Sequence, residues 1–120
     1  MHDFRKLKIW TDSIELTKRV YAVISSFPAE ESFGLTHQIK KSAISVPSNI
    51  AEGAGRNSNG EFNQFLGYAT GSSYELETQL ILSKELGLLD SQDLTSLLDD
   101  LHSIQKRIYR FKSSLMNRKV

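Results

Sequence analysis

The sequence predicts an all-α protein, an antiparallel up-down-up-down four-helix bundle formed by one domain over residues 1–120. Three observations support this prediction. Apolar residues recur every three or four positions in four successive segments, which is the period of an amphipathic helix. Glycine, proline and capping residues separate these segments, and the short loops favour antiparallel neighbours. No segment alternates as a half-buried strand does, and 120 residues suffice for one domain.

The first helix is expected from about Phe4 to Ser26, where Phe27-Pro28 stops it. Its spacing predicts a core-facing stripe of Leu7, Trp10, Ile14, Thr17, Tyr21 and Ile24. A second apolar line lies roughly 120° around the helix, at about 100° per residue. We expect part of this second line to meet another subunit; its residues are Ile9, Leu16, Val20, Val23 and Phe27.

The second helix is expected from about Leu35 to Glu52, and proline interrupts its pattern near the end. Its apolar stripe is Leu35, Ile39, Ala43, Val46 and Ile50. Because Pro47 has no amide hydrogen, we expect a bend between Ala43 and Ile50. The freed carbonyl of Ala43 should then accept a hydrogen bond from a side chain or water. Gly53 is expected in the left-handed conformation that ends a helix.

The third and fourth helices have the most regular patterns. Helix 3 should follow the loop at residues 57–60, and its inward residues are predicted to be Phe62, Phe65, Leu66, Ala69, Ser73, Leu76 and Leu80. Gly67 and Gly71 each cost helix propensity, so we expect a neighbouring helix to approach closely there. Gly87 and Asp90-Ser91 should end helix 3 and cap helix 4. The predicted core stripe of helix 4 is Leu94, Leu97, Leu101, Ile104, Ile108, Phe111 and Leu115.

Composition excludes several classes of protein and of site. The chain has no cysteine and a net charge of +1, so it is neither disulfide-bonded nor strongly basic. No signal peptide or membrane span is expected, which makes a cytoplasmic protein the default. The histidines do not form the inward Glu-x-x-His pairs of a di-iron bundle, and nucleotide-binding or hydrolase motifs are absent from the sequence. We therefore expect no metal, no cofactor and no catalytic residues.

A second, polar stripe accompanies the apolar stripe of helix 2, and helix 3 offers a matching line. On helix 2 it consists of Gln38, Ser42, Ser45, Asn49 and Glu52. On helix 3 it consists of Tyr68, Ser72, Glu75 and Gln79. A hydrogen-bonded seam that fixes helix register or subunit pairing is favoured over a ligand groove or a pore wall. Glu52 and Arg56 are expected to pair around the helix end.

Charge is distributed unevenly between the two ends of the predicted bundle. One end collects the candidate nucleic-acid-binding residues Arg5, Lys6, Lys8, Arg56, Arg110, Lys112, Arg118 and Lys119. The opposite end collects Glu30, Glu31, Glu85, Asp90 and Asp93. Complementation of helix dipoles accounts for part of this pattern, but not for basic residues at the start of helix 1. Only Phe4 and Tyr109 are expected as stacking aromatics at the basic end.

The run from Ser45 to Gly53, Ser-Val-Pro-Ser-Asn-Ile-Ala-Glu-Gly, followed by Arg56, resembles the four-helix-bundle family encoded within intervening sequences of bacterial 23S ribosomal RNA genes. The family often has arginine where this chain has Lys40 and Lys41, which keeps charge without the bidentate geometry. The resemblance covers nearly the whole chain and also includes Phe33-Gly34-Leu35, Gln38, Phe62, Phe65-Leu66, Ala69, Gly71-Ser72 and Glu75.

The resemblance implies a left-handed antiparallel bundle that assembles as a homopentamer. The accessory protein of diversity-generating retroelements is similar, and it is a basic pentamer that binds nucleic acid and a reverse transcriptase. Two hypotheses follow. The chain is either a non-catalytic oligomeric module that associates with RNA or another nucleic acid through its basic end, or a structural adaptor that presents a protein-binding surface and no nucleic-acid site.

Overall fold

The computed structural model describes residues 1–31 and 33–117, and these residues form four α-helices and no strand. Helix α1 spans Lys8–Ile24, α2 spans Leu35–Ala54, α3 spans Asn59–Glu85 and α4 spans Ser91–Asn117. Single 3-10 turns at Phe4–Lys6 and Ala29–Glu31 precede α1 and α2. The predicted all-α four-helix bundle is confirmed. None of the helices in the described ranges is long and apolar enough to cross a membrane.

Contacts between neighbouring helices connect residues in opposite numerical order, so each neighbouring pair runs antiparallel. Between α3 and α4, Asn59 contacts Leu115, whereas Glu77 near the other end contacts His102. The other neighbouring pairs follow the same rule. Their contacts are Asp12–Arg107 and Arg19–Asp100 for α1–α4, His2–Ala54 and Thr17–Ala43 across α1 and α2, and Ser45–Ser72 and Gly53–Phe65 for α2–α3.

The face of α1 that enters the core differs from the predicted one. The line expected to meet another subunit lies inside the bundle, where Ile9, Leu16, Val20 and Phe27 are buried. Of the predicted core stripe only Ile24 is buried, and its other members are half-buried on the flank of the helix. The reason is chemical, because the flank carries the amphipathic groups: Trp10 packs edge-on against Phe4 at 5.0 Å, and Lys40 lies over Tyr21 at 5.3 Å.

Thr17, also on this flank, satisfies the carbonyl that Pro47 leaves without a helical partner. Its hydroxyl lies 2.8 Å from the carbonyl oxygen of Ser13 and 3.2 Å from that of Ala43. Ala43 is almost fully buried, so its carbonyl would otherwise lack both water and an amide donor. The expectation that a side chain would meet this group is confirmed. Helix α2 remains one element through Pro47, and the bend expected there stays a prediction.

Gly53 brings α2 and α3 into close contact, and it does not end the helix as predicted. Helix α2 continues to Ala54, and no positive φ occurs at Gly53. A Cβ at this position would lie 2.7 Å from the Cβ of Phe65 and 2.9 Å from a ring carbon of Phe62. The absence of a side chain is therefore what lets the two aromatic residues of α3 lie directly on α2.

The glycines within α3 do not mediate the close helix approach expected of them. A Cβ at Gly71 would have no heavy atom within 4 Å, and one at Gly67 would meet only the ammonium of Lys112, at 3.6 Å. A Cβ at Gly67 would make only an ordinary van der Waals contact with Lys112. Within the described part of the chain, close helix packing therefore does not require a glycine at either position.

The ends of α3 and the start of α4 follow the sequence signals. Ser58 accepts a hydrogen bond from the amide of Glu61, and its hydroxyl donates to the Glu61 carboxylate. At the other end Gly87 has φ 78°, and the Gly87 and Leu88 amides bond back to Lys84 and Ser83. The cap on α4 is the Asp90 side chain, which accepts from the Asp93 amide at 2.7 Å.

The contact at Gly53 yields a matched pair of glycine substitutions. We expect Gly53→Ala to lower the free energy of unfolding by about 1–3 kcal/mol, because the Cβ of Phe65 cannot move aside without shifting the backbone. Gly71→Ala adds a methyl group in open space. It should raise the free energy of unfolding by up to about 1 kcal/mol, because alanine has a higher helix propensity than glycine. Urea unfolding followed by circular dichroism measures both. Equal effects of the two substitutions would contradict the assigned role of Gly53.

The hydrogen bond from Thr17 to Ala43 can be tested by a double-mutant cycle with Pro47. Thr17→Val keeps the shape but removes the donor, and it should cost about 1–3 kcal/mol because a buried carbonyl loses its partner. In a Pro47→Ala background, the new amide at position 47 can bond to Ala43, so Thr17→Val should cost about 1 kcal/mol less. Additive effects in thermal unfolding would show that Thr17 does not compensate for the proline.

Candidate nucleic-acid interface

The N-terminal segment lies across the end of the bundle where the predicted basic residues gather. The amide of His2 donates to the carbonyl of Ala54 at 2.8 Å, next to the end of α2. The His2 ring lies 5.0 Å from that of Phe62 and 6.2 Å from that of Phe111. The segment carrying Arg5 and Lys6, the α2–α3 loop and the last turns of α4 therefore share one end, as the sequence predicted.

Two of the predicted basic residues, Arg5 and Lys8, lie beside carboxylates. Arg5 lies 3.8 Å from Asp3 and 5.0 Å from the centre of the Phe4 ring. Lys8 lies 3.6 Å from Asp12, a carboxylate that Arg107 of α4 also contacts, at 2.6 Å. These side chains interact with the protein itself, which reduces their availability for phosphate.

Arg56 is also engaged with its own chain. It pairs with Glu52 at 3.4 Å, and its guanidinium lies 4.5 Å from the centre of the Phe65 ring. The expected pair of Glu52 and Arg56 at the helix end is therefore confirmed. The arginine closes the α2–α3 loop and covers an aromatic ring of the close helix contact.

The remaining cations of this region lie mainly on the outer face of α4. Within the described ranges, no ion pair or hydrogen bond involves the side chains of Lys6, Lys106, Arg110 or Lys112. Lys106 was not among the predicted residues. Two predicted ones, Arg118 and Lys119, lie outside the described residues. The unpaired positive charge thus extends along the side of α4 as well as at the end of the bundle.

Three shallow depressions follow this face and share their lining residues. The central one is lined by Tyr74 of α3 and by Gln105, Lys106, Tyr109 and Arg110 of α4. Lys106 and Arg110 also line a second depression, which is formed by α4 alone and includes Asp99, His102, Ser103 and Arg107. A third shares Tyr109 and continues along Asn63, Lys112, Ser113, Met116 and Asn117. Together they form a continuous track, which we call the α3–α4 groove.

Hydrogen bonds between α3 and α4 fix the floor of the α3–α4 groove. The side-chain amide of Gln105 donates to Glu77 at 3.0 Å and lies 3.2 Å from the hydroxyl of Ser73. The imidazole of His102 lies 3.0 Å from the same carboxylate. Two hydrogen bonds lower the pKa of Glu77 below its usual range; the one from Gln105 has the larger effect and the one from His102 the smaller. The Glu77 carboxylate is thus held by both of these neighbours.

Of the predicted polar seam between α2 and α3, the described residues show one side-chain hydrogen bond that crosses between the helices. Ser72 lies 2.9 Å from Ser45, hydroxyl to hydroxyl, and Asn49 donates to the carbonyl of Ser45 at 2.8 Å. Ser42 is buried beside them, and Gln79 is half-buried. The other members are exposed and take no part in the seam: Gln38, Glu52, Tyr68 and Glu75. Tyr68 instead bonds to Gln64 on its own helix and packs against Phe65.

The α3–α4 groove contains residues that the sequence reading missed. Lys106, Tyr109 and Arg110 stand at i, i+3 and i+4, which is a same-face spacing visible in the sequence. The predicted nucleic-acid-binding residues were confined to the end of the bundle, so Lys106 was not among them. Tyr74 had no such signal, because its place beside Tyr109 depends on how α3 and α4 align. Phe4, expected as a stacking platform, is half-buried against Trp10.

The described residues contain no cluster of three or more histidine, aspartate or glutamate side chains that could hold a metal ion. The nearest polar arrangement is the set of Glu77, His102 and Gln105, whose groups bond to one another.

Comparisons with known proteins identify the family and confirm the fold. The family model described as 23S rRNA-intervening sequence protein matches residues 5–110. A crystal structure of a protein of unknown function from the S23 ribosomal protein family of Bacteroides thetaiotaomicron is similar, with a TM-score of 0.78 and 22% identity. The match covers 87% of this chain and 97% of that one. No curated protein matches the sequence.

Proposed function

This chain belongs to the family of 23S rRNA-intervening sequence proteins, and we propose that it is a non-catalytic homo-oligomeric module, a pentamer, that associates with RNA or another nucleic acid through its basic residues. The observation that carries this proposal is the charge left unpaired on α4. Lys106, Arg110 and Lys112 have no carboxylate partner within the described residues, whereas Arg107, the cation of α4 that faces α1, pairs with Asp12. A cytoplasmic location is part of the same proposal.

Electrostatics favours a polyanion as the partner of this surface. Each lysine or arginine that contacts a phosphate releases condensed counterions, and this term dominates non-specific binding to nucleic acid. The acidic residues Glu30, Glu31, Glu85, Asp90 and Asp93 belong to the opposite end of the antiparallel bundle. One chain therefore offers few contacts, and repetition of the same surface around an oligomer would multiply them.

An exposed stripe on α3 supports assembly into an oligomer. Its members are exposed along the length of the helix at alternating spacings of four and three: Gln64, Tyr68, Gly71, Glu75, Thr78 and Leu82, with Leu86 beyond them. Tyr68, Leu82 and Leu86 are among the large apolar side chains left exposed in one chain. At about 100° per residue, the centre of the stripe lies roughly 80° from Tyr74. Gly71, Glu75 and Thr78 of the stripe share a depression with Tyr74, so assembly through the stripe would come close to the α3–α4 groove.

The nucleic-acid hypothesis predicts the effect of removing three charges from α4. Lys106→Gln, Arg110→Gln and Lys112→Gln combined should weaken RNA binding and flatten its dependence on salt by about two units of log–log slope, at roughly 0.7 per lost contact. Thermal stability should change little, because exposed charges contribute about 0–1 kcal/mol each. Fluorescence anisotropy with a labelled RNA at several salt concentrations measures both the affinity and the slope.

A matched variant controls for net charge. Lys18→Gln, Lys41→Gln and Lys84→Gln remove the same charge from other surfaces and should leave the slope unchanged. If both triple variants weaken binding equally, the interaction depends on net charge and not on α4. If the wild-type protein binds no RNA at about 50 mM salt, where phosphate contacts are strongest, the nucleic-acid hypothesis is wrong.

The oligomer hypothesis predicts a mass of five times the 13.6 kDa chain in multi-angle light scattering at micromolar concentration. Leu82→Glu should reduce this mass, because it places a charge in the exposed stripe of α3. Ile44→Glu is a matched control, since both side chains are 46% exposed but Ile44 belongs to α2. A wild-type monomer would contradict the proposal, and an equal effect of both variants would remove the stripe from it.

The alternative is a structural adaptor that presents a protein-binding surface. The observation in its favour is the same set of exposed apolar residues on α3, which a protein partner could cover as well as a second copy could. The adaptor hypothesis predicts that the exposed stripe matters for function while the charges of α4 do not. It becomes the preferred function if the wild-type protein retains no nucleic acid.

A further inference from the structure

We propose that the α3–α4 groove binds single-stranded nucleic acid by stacking unpaired bases on Tyr109 and Tyr74 while Lys106 and Arg110 contact the adjacent phosphates. This inference rests on the proposed association with nucleic acid and narrows its partner to unpaired strands. Duplexes do not present the faces of their bases. A surface that relies on stacking therefore selects strands that are open, such as loops and single-stranded ends.

The two tyrosines differ from Tyr68 and Tyr21, whose rings are engaged by other side chains. Tyr109 is 71% exposed and Tyr74 is 57% exposed, and neither ring pairs with another aromatic ring within the described ranges. In contrast, the ring of Tyr68 packs edge-on against Phe65 at 5.3 Å, and Lys40 lies over the ring of Tyr21. Tyr74 and Tyr109 thus offer rings that are not engaged elsewhere in the chain.

The cations stand where a strand stacked on these rings would carry its phosphates. Lys106 and Arg110 line the same depression as both tyrosines. Lys106 precedes Tyr109 by three residues, and Arg110 follows it directly. Lys112 extends the line toward the end of α4, in a depression that also includes Tyr109. From Gln105 to Met116 the track measures roughly 16 Å at 1.5 Å per residue, long enough for several consecutive contacts.

Neighbouring charges set the limits of this track. Glu77 accepts hydrogen bonds from Gln105 and His102, which satisfy its oxygens but leave a negative charge next to Gln105. Asp99 lines the depression toward the start of α4 and would repel phosphate there. Arg107 lines the same depression, but its guanidinium is paired with Asp12 on the α1 side. The favourable stretch therefore runs from Lys106 toward the end of α4.

The clamp at Gln105 explains how the two tyrosines can act as one platform. Gln105 bonds to Ser73, which immediately precedes Tyr74 on α3, and to Glu77, which lies one turn after Tyr74. These bonds fix the alignment of the helices at the level of Tyr74 and Tyr109. Gln105 is thus a positioning residue, and the rings are the groups that would touch the bases.

The test compares three labelled probes of equal length by fluorescence anisotropy at about 50 mM salt: a single-stranded RNA, its duplex, and an abasic strand that keeps the phosphates. Wild-type protein should bind the single strand most tightly. Tyr74→Ala with Tyr109→Ala should weaken that binding by about 5- to 150-fold per stacked base. The same variant should bind the abasic strand as well as wild type does.

Control variants separate stacking from other causes. Tyr74→Phe with Tyr109→Phe keeps the rings and should bind like wild type, and Phe33→Ala removes a 96% exposed aromatic ring outside the groove and the α3 stripe without effect. Lys106→Gln with Arg110→Gln should weaken binding to the single strand and the abasic strand alike. Circular dichroism and light scattering establish that each variant remains folded and assembled as wild type.

The outcomes distinguish this inference from the proposed function on which it rests. If no probe binds, the nucleic-acid function itself is wrong. If the single strand and duplex bind equally and the double alanine variant is unchanged, the function stands and the stacking inference is overturned. If the alanine variant loses affinity for the abasic strand as strongly as for the intact strand, the tyrosines support the fold of the groove and do not stack on bases.

Discussion

The close contact between α2 and α3 at Gly53 determines the arrangement of much of the rest of the bundle. Because that position has no Cβ, Phe62 and Phe65 lie directly on α2, and the rotation of α3 about its axis is fixed. The bond between Ser45 and Ser72 holds the same rotation farther along the pair. With α3 set in this way, one of its sides bears the exposed apolar stripe, and another side brings Tyr74 toward α4.

The sequence predicted the helices and their caps, but not every contact between them. Helices α3 and α4 have one apolar stripe each, so their core faces could be read directly. Helix α1 has two, and periodicity could not decide between them. The decision followed from chemistry across the interface: Thr17 had a carbonyl to meet on α2, and Tyr21 had a lysine above it. Similarly, Gly53 and Gly71 look alike in sequence, and only the residues opposite them separate their roles.

The sequence could predict that basic residues concentrate at one end of the bundle. It could not predict which of them form an accessible surface. The sequence placed the basic residues at one end, and antiparallel packing confirms that shared end. Which of them are available depends on pairing across helices, such as Arg107 with Asp12, and sequence separation hides those partners. Tyr74 lies 35 residues before Tyr109 in the chain. Its role in the α3–α4 groove emerges only from the alignment that Gln105 holds.

The proline in α2 has a consequence for how the molecule opens and closes. The carbonyl of Ala43 gains its partner only when Thr17 of α1 is in place. An α2–α3 hairpin without α1 would bury that carbonyl unsatisfied or admit water to it. Docking of α1 and completion of the middle of α2 are therefore one cooperative step. Native-state hydrogen exchange would accordingly place the centre of α2 in the same opening unit as α1, although α2 shares its tightest contact with α3.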